Sequence, residues 1–593
     1  MRERLAQSLH NAVWLTLGME RQDYRVQRPW SVTVGQQSQS AVALDVGTRI
    51  VDVFNRPEFA RQLLILGEPG AGKTTMMLEL AEDLLKRAIA DKVEPIPVLL
   101  SLSSWKNPQQ SIFEWLVGEL KSKYGIRQDL AQQWLKKNQL LPLLDGLDEV
   151  TPQHQKACAV ALNAWLTKEL TQRPCGVMIC CRREEFEQVV RQPLSLYGAI
   201  YLQALTVEQI EDYFAQFGLQ DVWQTVQQDE VLQKLLTTPL FLSMFGLVQT
   251  QSKFSLSDWR SRITSDHKIE YLLDTYWDAA IERELIIDPV ERQQGICSKT
   301  YGKKPLPRRK AVRRSLIFAA KMLDRESSTE LLIEKMQPAA LITQRQKWAY
   351  RLIYGLIVGL IVGLIFGLVV GLVVGLVIGL VVGLDTIEPV EKISISMSRF
   401  ARREIWRSLR KGLVGELDTI EPVEKISISM SRFARREIWR SLRKGLIVGL
   451  IVGLKADIQT RIEPNQGIKN SVKNMVIVSV IALVTALPFK SFLEHLLASV
   501  VAPNVVTSIV QASLTCLIWF SFLESGGKAL SQHLALRLVL AWNHYAPWRY
   551  DLLLNYCTER LLLQRVGGRY RFMHKLLQDH FAKMDLERQN AGV

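Results

Sequence analysis

Leu63-Leu64-Ile65-Leu66-Gly67-Glu68-Pro69-Gly70-Ala71-Gly72-Lys73-Thr74-Thr75 decides the fold of this chain. An apolar run of strand type empties into a glycine-rich turn, and an amphipathic helical pattern from Met76 to Leu85 follows. The spacing from Gly67 to Thr74 is G-x-x-x-x-G-K-T, the form of a phosphate-binding loop. Gly67, Gly70 and Gly72 let the backbone curl so that successive N–H groups point at one phosphate, backed by the positive end of the following helix. Lys73 is expected to bridge the β- and γ-phosphates, and the Thr74 hydroxyl to ligate Mg²⁺. Residues Gly67 to Thr75 together form the expected nucleotide-binding segment.

Outward from this loop, strand-like and helix-like patterns alternate. Strands are expected at Leu63–Leu66, Ile96–Leu102, Leu140–Leu144, Gly176–Cys181 and Ile200–Leu202, with helices between them. Short, continuously apolar strands separated by helices predict a parallel sheet buried on both faces, an α/β P-loop NTPase of three layers. The third of these strands ends in Asp145-Gly146-Leu147-Asp148-Glu149. An acid closing such a strand is placed to hold Mg²⁺, which assigns Asp145 to the metal. Asp148 and Glu149 are placed to orient or deprotonate a water at the γ-phosphate, and are read as catalytic.

The chain has 593 residues, enough for several domains, and a formal net charge of +15. Its 48% apolar content excludes the disordered class. Seven cysteines show no metal-type pairing and read as reduced thiols of a cytosolic setting. The start, Met-Arg-Glu-Arg, lacks a long apolar segment and predicts no signal peptide.

A different kind of sequence begins at Leu352. Residues 352–384 carry no charge, and glycine recurs at every fourth position from Gly355 to Gly383. On a helix this spacing gives a small-residue stripe through which helices approach one another in lipid, so self-association is an expected property. A helix of that length is roughly 50 Å long, more than the hydrocarbon thickness of a bilayer. A 30-residue unit then occurs twice, at 384–413 and 417–446, with four acids and seven bases in each copy. In the first copy Met397, Phe400, Ala401, Ile405 and Leu409 share a helical face opposite Arg399, Arg403, Arg407 and Arg410. Such a helix beside a spanning segment is expected to lie on anionic lipid headgroups, which favours a lipid bilayer over nucleic acid as the partner of the positive charge. Further apolar runs occur at 475–489 and 505–523.

The pair Gly67–Thr75 and Leu140–Val150 resembles the NACHT branch of the STAND signalling NTPases. The resemblance implies ATP or ADP with Mg²⁺ as the ligand, slow hydrolysis, and a nucleotide-controlled switch in signal transduction or defence. It further implies that Arg182, after Cys180-Cys181, senses the γ-phosphate. Thr237-Thr238-Pro239-Leu240 is similar to the turn that contacts adenine in this family, which assigns Pro239 to the nucleotide. Phe572-Met573-His574 resembles the motif whose histidine meets the β-phosphate of ADP from a winged-helix domain, which assigns His574 to the same ligand. The expected organisation is an N-terminal helix and loop region at 1–60, the NACHT-like domain at 61–205, and a helical domain at 206–297. A winged-helix domain split between 298–345 and 531–593 follows, with helices expected at 311–324 and 328–336 in its first part. An α-helical transmembrane insertion at 346–530 interrupts it. An insertion within one domain requires an even number of crossings, with the nucleotide-binding domain and both termini cytoplasmic. Two other classes remain open at this stage: an ATP-driven transport or channel protein, and a membrane scaffold that binds nucleotide without turnover.

Overall fold

The computed structural model describes residues 19–21, 42–44, 48–366 and 527–585, except 171–174, 191–192, 284, 286–288 and 327, with a few scattered positions between 377 and 507. Two compact units result. The first comprises residues 1–333, 460–464 and 537–593, and the second residues 334–459 and 465–536.

The first unit is built on a seven-stranded sheet of order β2-β1-β7-β3-β6-β5-β4. Its strands are β1 Met19–Arg21, β2 Val42–Ala43, β3 Gln62–Gly67, β4 Ile96–Ser101, β5 Leu140–Asp145, β6 Val177–Arg182 and β7 Gly198–Leu202. Strands β3 to β7 pair in parallel, as their uninterrupted apolar sequences predict. The reason for those sequences is visible in the packing. Leu63 and Ile65 of β3 point to the helix Lys73–Ala90, meeting Met77, Leu80 and Leu84. Leu64 and Leu66 point to the opposite layer, with Trp115, Leu116 and Leu162. Both faces of every central strand are therefore dry.

Strands β1 and β2 extend the sheet in the antiparallel sense beyond β7. The region 1–60 was expected to be helix and loop, and here its described residues include sheet. Strands of three and two residues are too short to present a period to read.

The described residues from Val207 to Glu282 are a run of helices. Two short helices, Gln220–Val226 and Glu230–Leu236, stand next to each other in this run. Asp229 separates them, its carboxylate accepting the Leu232 N–H at 3.0 Å and capping the second helix.

The two sides of the 346–530 stretch meet in the first unit. Helix Arg309–Arg325 packs against helix Lys575–Lys583, and the hairpin of β8 Leu563–Val566 and β9 Arg569–Phe572 lies before the latter. Leu331 and Tyr570 exchange both backbone hydrogen bonds, at 2.6 and 2.9 Å. Residues 328–336 were expected to be helical. Leu331 spends its N–H and C=O on the hairpin, and only a short turn, Ile333–Lys335, remains of the helix.

In the second unit, helix Gln344–Phe366 buries Tyr350, Tyr354, Val358 and Val362 along one side. Leu352, Leu356 and Leu360 on the other side stay 54–58% exposed. Among the described residues no single helix is long and apolar enough to cross a membrane. One bent pair, Glu230–Leu236 with Pro239–Thr250, meets the length and composition together, at an angle of 112°. Its Leu240, Phe241, Leu242, Met244 and Phe245 are buried within the protein. Apart from isolated positions, the glycine tract beyond Phe366, both copies of the repeat and the apolar runs at 475–489 and 505–523 lie outside the described residues.

Candidate nucleotide site

The parallel register brings the motif-bearing strand ends to one edge. Gly67 at the end of β3 stands opposite Arg182 at the end of β6, and Asp145 at the end of β5 stands opposite Ser101. In open α/β sheets this carboxyl edge is where ligands bind.

The loop after β3 has the conformation its glycines allow. Gly70 and Gly72 adopt φ of 82° and 97°, a region that side chains disfavour, and Gly72 leads directly into helix Lys73–Ala90. The Ala71 N–H closes the turn onto the Glu68 carbonyl at 3.1 Å. The Glu68 carboxylate accepts the Tyr201 hydroxyl at 3.1 Å, tying the loop containing Pro69 to β7. Lys73 Nζ donates to the Gly67 and Glu68 carbonyls at 2.7 and 2.9 Å. Its ammonium lies across the mouth of the loop. Burial lowers its pKa, with Asp148 pulling the other way. Thr75 follows in the first turn of the helix.

Thr74 Oγ1 donates to the Asp145 carboxylate, 3.1 Å from Oδ2 and 3.4 Å from Oδ1. A hydroxyl and a carboxylate at a helix N-terminus are hard oxygen donors of the kind Mg²⁺ takes, with phosphate oxygens completing its shell. The pair fits the metal that the loop implies. Among the described residues no group of three or more His, Cys, Asp or Glu is arranged to hold a metal. Phosphate oxygens and waters would complete the shell of a divalent ion at Thr74 and Asp145.

Asp148 is nearly enclosed. Its carboxylate accepts the Arg182 backbone N–H at 3.2 Å and pairs with Arg182 Nε at 2.9 Å. Arg182 Nη1 also reaches Glu185 at 3.1 Å. Burial raises the Asp148 carboxyl, opposed by the Arg182 and Lys73 charges. Arg183, the adjacent arginine, turns away to Glu187 at 3.2 Å and lies over the Tyr201 ring. Gln155 holds the Asp148 carbonyl at 3.0 Å. Cys181, at the position preceding Arg182, is buried in the core.

Glu149 sits on the turn opened by Gly146, whose φ is 76°. Burial, and then the charge of Asp145, push its carboxyl well above the usual range, and the strongest opposing charge is Arg571 of β9. A carboxylate raised toward neutrality and beside a metal ligand is suited to take a proton from water.

Pro239 is the first residue of helix Pro239–Thr250, a helix-start position it is preorganised to fill. The start of this helix packs on the phosphate loop itself. The Leu240 N–H donates to the Gly70 carbonyl at 3.3 Å, and a Cβ built on Gly70 would lie 2.8 Å from Leu240 Cβ. His574 caps helix Lys575–Lys583, with Nδ1 accepting the Leu576 N–H at 3.1 Å. On β9 the alternation Arg569-Tyr570-Arg571-Phe572 after a Gly-Gly turn sets both arginines on one face.

These features assemble the loop lysine, the strand-end acids and the arginine of the next strand at one sheet edge. Comparison with curated proteins gave no match. The family model for the NACHT domain matches residues 61–221. The chain thus carries a NACHT domain, a nucleotide-binding P-loop NTPase module, over residues 61–221.

Proposed function

We propose that this protein is a membrane-anchored ATP-binding switch of the STAND type, in which Mg²⁺-ATP and ADP select different arrangements of the C-terminal hairpin domain. The observation that carries the reading is the convergence on one edge of Lys73, Thr74, Asp145, Asp148 and Arg182. Lys73 would supply charge to the phosphates, and Thr74 and Asp145 would hold a Mg²⁺ that neutralises phosphate charge. Asp148 orients Arg182, and Glu149 receives the proton of the attacking water in a slow hydrolysis that resets the switch.

The membrane part of the proposal rests on sequence. The uncharged glycine-patterned tract and the two Arg-rich copies suit a bilayer and its anionic headgroups. The flanks of that stretch pack on one another, which favours an even number of crossings with the nucleotide site and both termini on the cytoplasmic side. Binding of a fluorescent ATP analogue with Mg²⁺ tests the central claim. Lys73→Ala should abolish it, and normal binding by that variant would refute the assignment. Recovery of the full chain in the carbonate-washed membrane pellet tests the anchor, and its release to the supernatant would remove that part.

A further inference from the structure

Glu68 puts a negative charge into a loop built to receive phosphates. Its main chain holds that loop together, the Glu68 carbonyl accepting the Ala71 N–H at 3.1 Å and Lys73 Nζ at 2.9 Å. A carboxylate on the same residue has the Lys73 ammonium within reach. There it would compete with phosphate oxygens, because a carboxylate holds an ammonium more strongly than a neutral carbonyl does. Strand β7 keeps the side chain elsewhere. Tyr201 Oη donates to Glu68 Oε1 at 3.1 Å.

The sheet decides where that bond draws the carboxylate. In the parallel register Tyr201 stands beside Leu66, and Leu202 beside Gly67. Side chains alternate along a strand, so Tyr201 and Leu202 face opposite layers. Leu202 belongs to the cluster of Ala71, Met77 and Leu80, on the side of helix Lys73–Ala90. Tyr201 packs on the other layer, with Trp115 and Leu162. The hydroxyl therefore draws Glu68 away from the helix N-terminus at which phosphate is expected.

The ring is itself held. The Arg183 guanidinium lies over it, 5.3 Å from the centroid, and Arg183 Nε is anchored on Glu187 at 3.2 Å. Burial first, and then the Glu68 charge, raise the phenol above its ordinary value, so it keeps its proton and remains the donor.

We infer that Tyr201 is a positioning residue of the nucleotide site: it holds the Glu68 carboxylate off Lys73 and so keeps the ammonium available to the phosphates. The inference rests on the nucleotide-site reading above.

Dissociation constants for fluorescent ATP and ADP analogues with Mg²⁺, on the full-length protein, test it. Tyr201→Phe keeps the ring and removes the hydroxyl. It should weaken both nucleotides by about 2- to 5-fold, the worth of an exposed ion pair. Glu68→Gln alone should bind at least as tightly as wild type, and added to Tyr201→Phe it should restore wild-type affinity. A tie that only stiffened the loop gives no such rescue, because the double variant still lacks the hydroxyl. Wild-type affinity in Tyr201→Phe, or no recovery on adding Glu68→Gln, overturns the inference. If Tyr201→Phe fails to fold, Glu68→Ala decides. Affinity at or above wild type supports the inference, and a loss means that the tie rather than the charge matters, which overturns it. A wild-type protein that binds neither nucleotide refutes the nucleotide-site reading, whereas a wild type that binds beside variants that behave otherwise refutes this inference alone.

Discussion

Arg182 and Asp148 form an ion pair of 2.9 Å in which Asp148 is 7% exposed and Arg182 23%. The same carboxylate takes the Arg182 backbone N–H, so side chain and strand end are fixed together. This orients the arginine at the strand end opposite Gly67, where the phosphates are expected.

Breaking that pair from one side should be costly. Arg182→Ala leaves a buried carboxylate without its cation, and should lower unfolding stability by about 2–4 kcal/mol. Asp148→Asn keeps an acceptor for the backbone N–H and should cost less. Urea denaturation midpoints of the two variants check the order, and the reverse order would contradict the assignment of charge here.

Gly70 allows no side chain. Its φ of 82° disfavours any L-residue, and a Cβ would meet Leu240 Cβ at 2.8 Å and Thr238 Cγ2 at 3.0 Å. Neither neighbouring atom is the free end of a flexible chain. Gly70→Ala should therefore distort the phosphate loop, weaken Mg²⁺-ATP binding by at least about tenfold and cost about 1–3 kcal/mol. Titration with a fluorescent nucleotide, beside a thermal melt, reads both effects.

What could be read in advance follows from where the information sits. The central strands are buried on both faces, so their apolar runs declare them, and the loop at Gly67–Thr75 and the turn at Asp145–Glu149 follow from strand ends. Asp148 could be named from its place in the turn, but its pairing with Arg182 could not, because the register that aligns Arg182 with Gly67 leaves no local trace. Leu331 was misread as helical because its backbone is claimed by Tyr570, a contact with no local trace. Arg569 escaped for the same reason: it meets Glu330 and the Ser122 carbonyl only through the docked hairpin, and strand alternation alone does not say what that face meets.

The clamp at Glu330 should show itself in acid. Burial would raise this carboxyl, but Lys123 and Arg569 outweigh it and hold the pKa well below its ordinary 4.5. A depressed folded pKa contributes stability that is fully present above the unfolded value and is lost as pH falls through the folded one. Wild type should therefore exceed Glu330→Gln by about 1–3 kcal/mol at neutral pH, with a difference that is flat above about pH 4.5 and shrinks below it. Denaturant unfolding across that range measures it. A gap that widens on acidification would reverse the sign and remove the clamp.

Glu149 should behave in the opposite way. Its carboxyl is raised from 4.5 by burial and by the charge of Asp145, so ionising it opposes folding. Below the unfolded value the acid is protonated in both states and contributes nothing. As pH rises past it, the unfolded chain ionises freely while the folded one resists, and stability falls. Glu149→Gln removes that penalty while keeping the shape. The ligand-free variant should be more stable than wild type by roughly 1–2 kcal/mol near pH 8, and the advantage should vanish toward pH 4. The same substitution should suppress any hydrolysis, because the group that resists ionisation in the resting fold is the one placed to take the proton of water. Thermal melts at the two pH values, set against single-turnover hydrolysis, test whether stability was given up here for function. A variant less stable than wild type at pH 8 would mean that Arg571 holds Glu149 more strongly than Asp145 and Asp148 repel it.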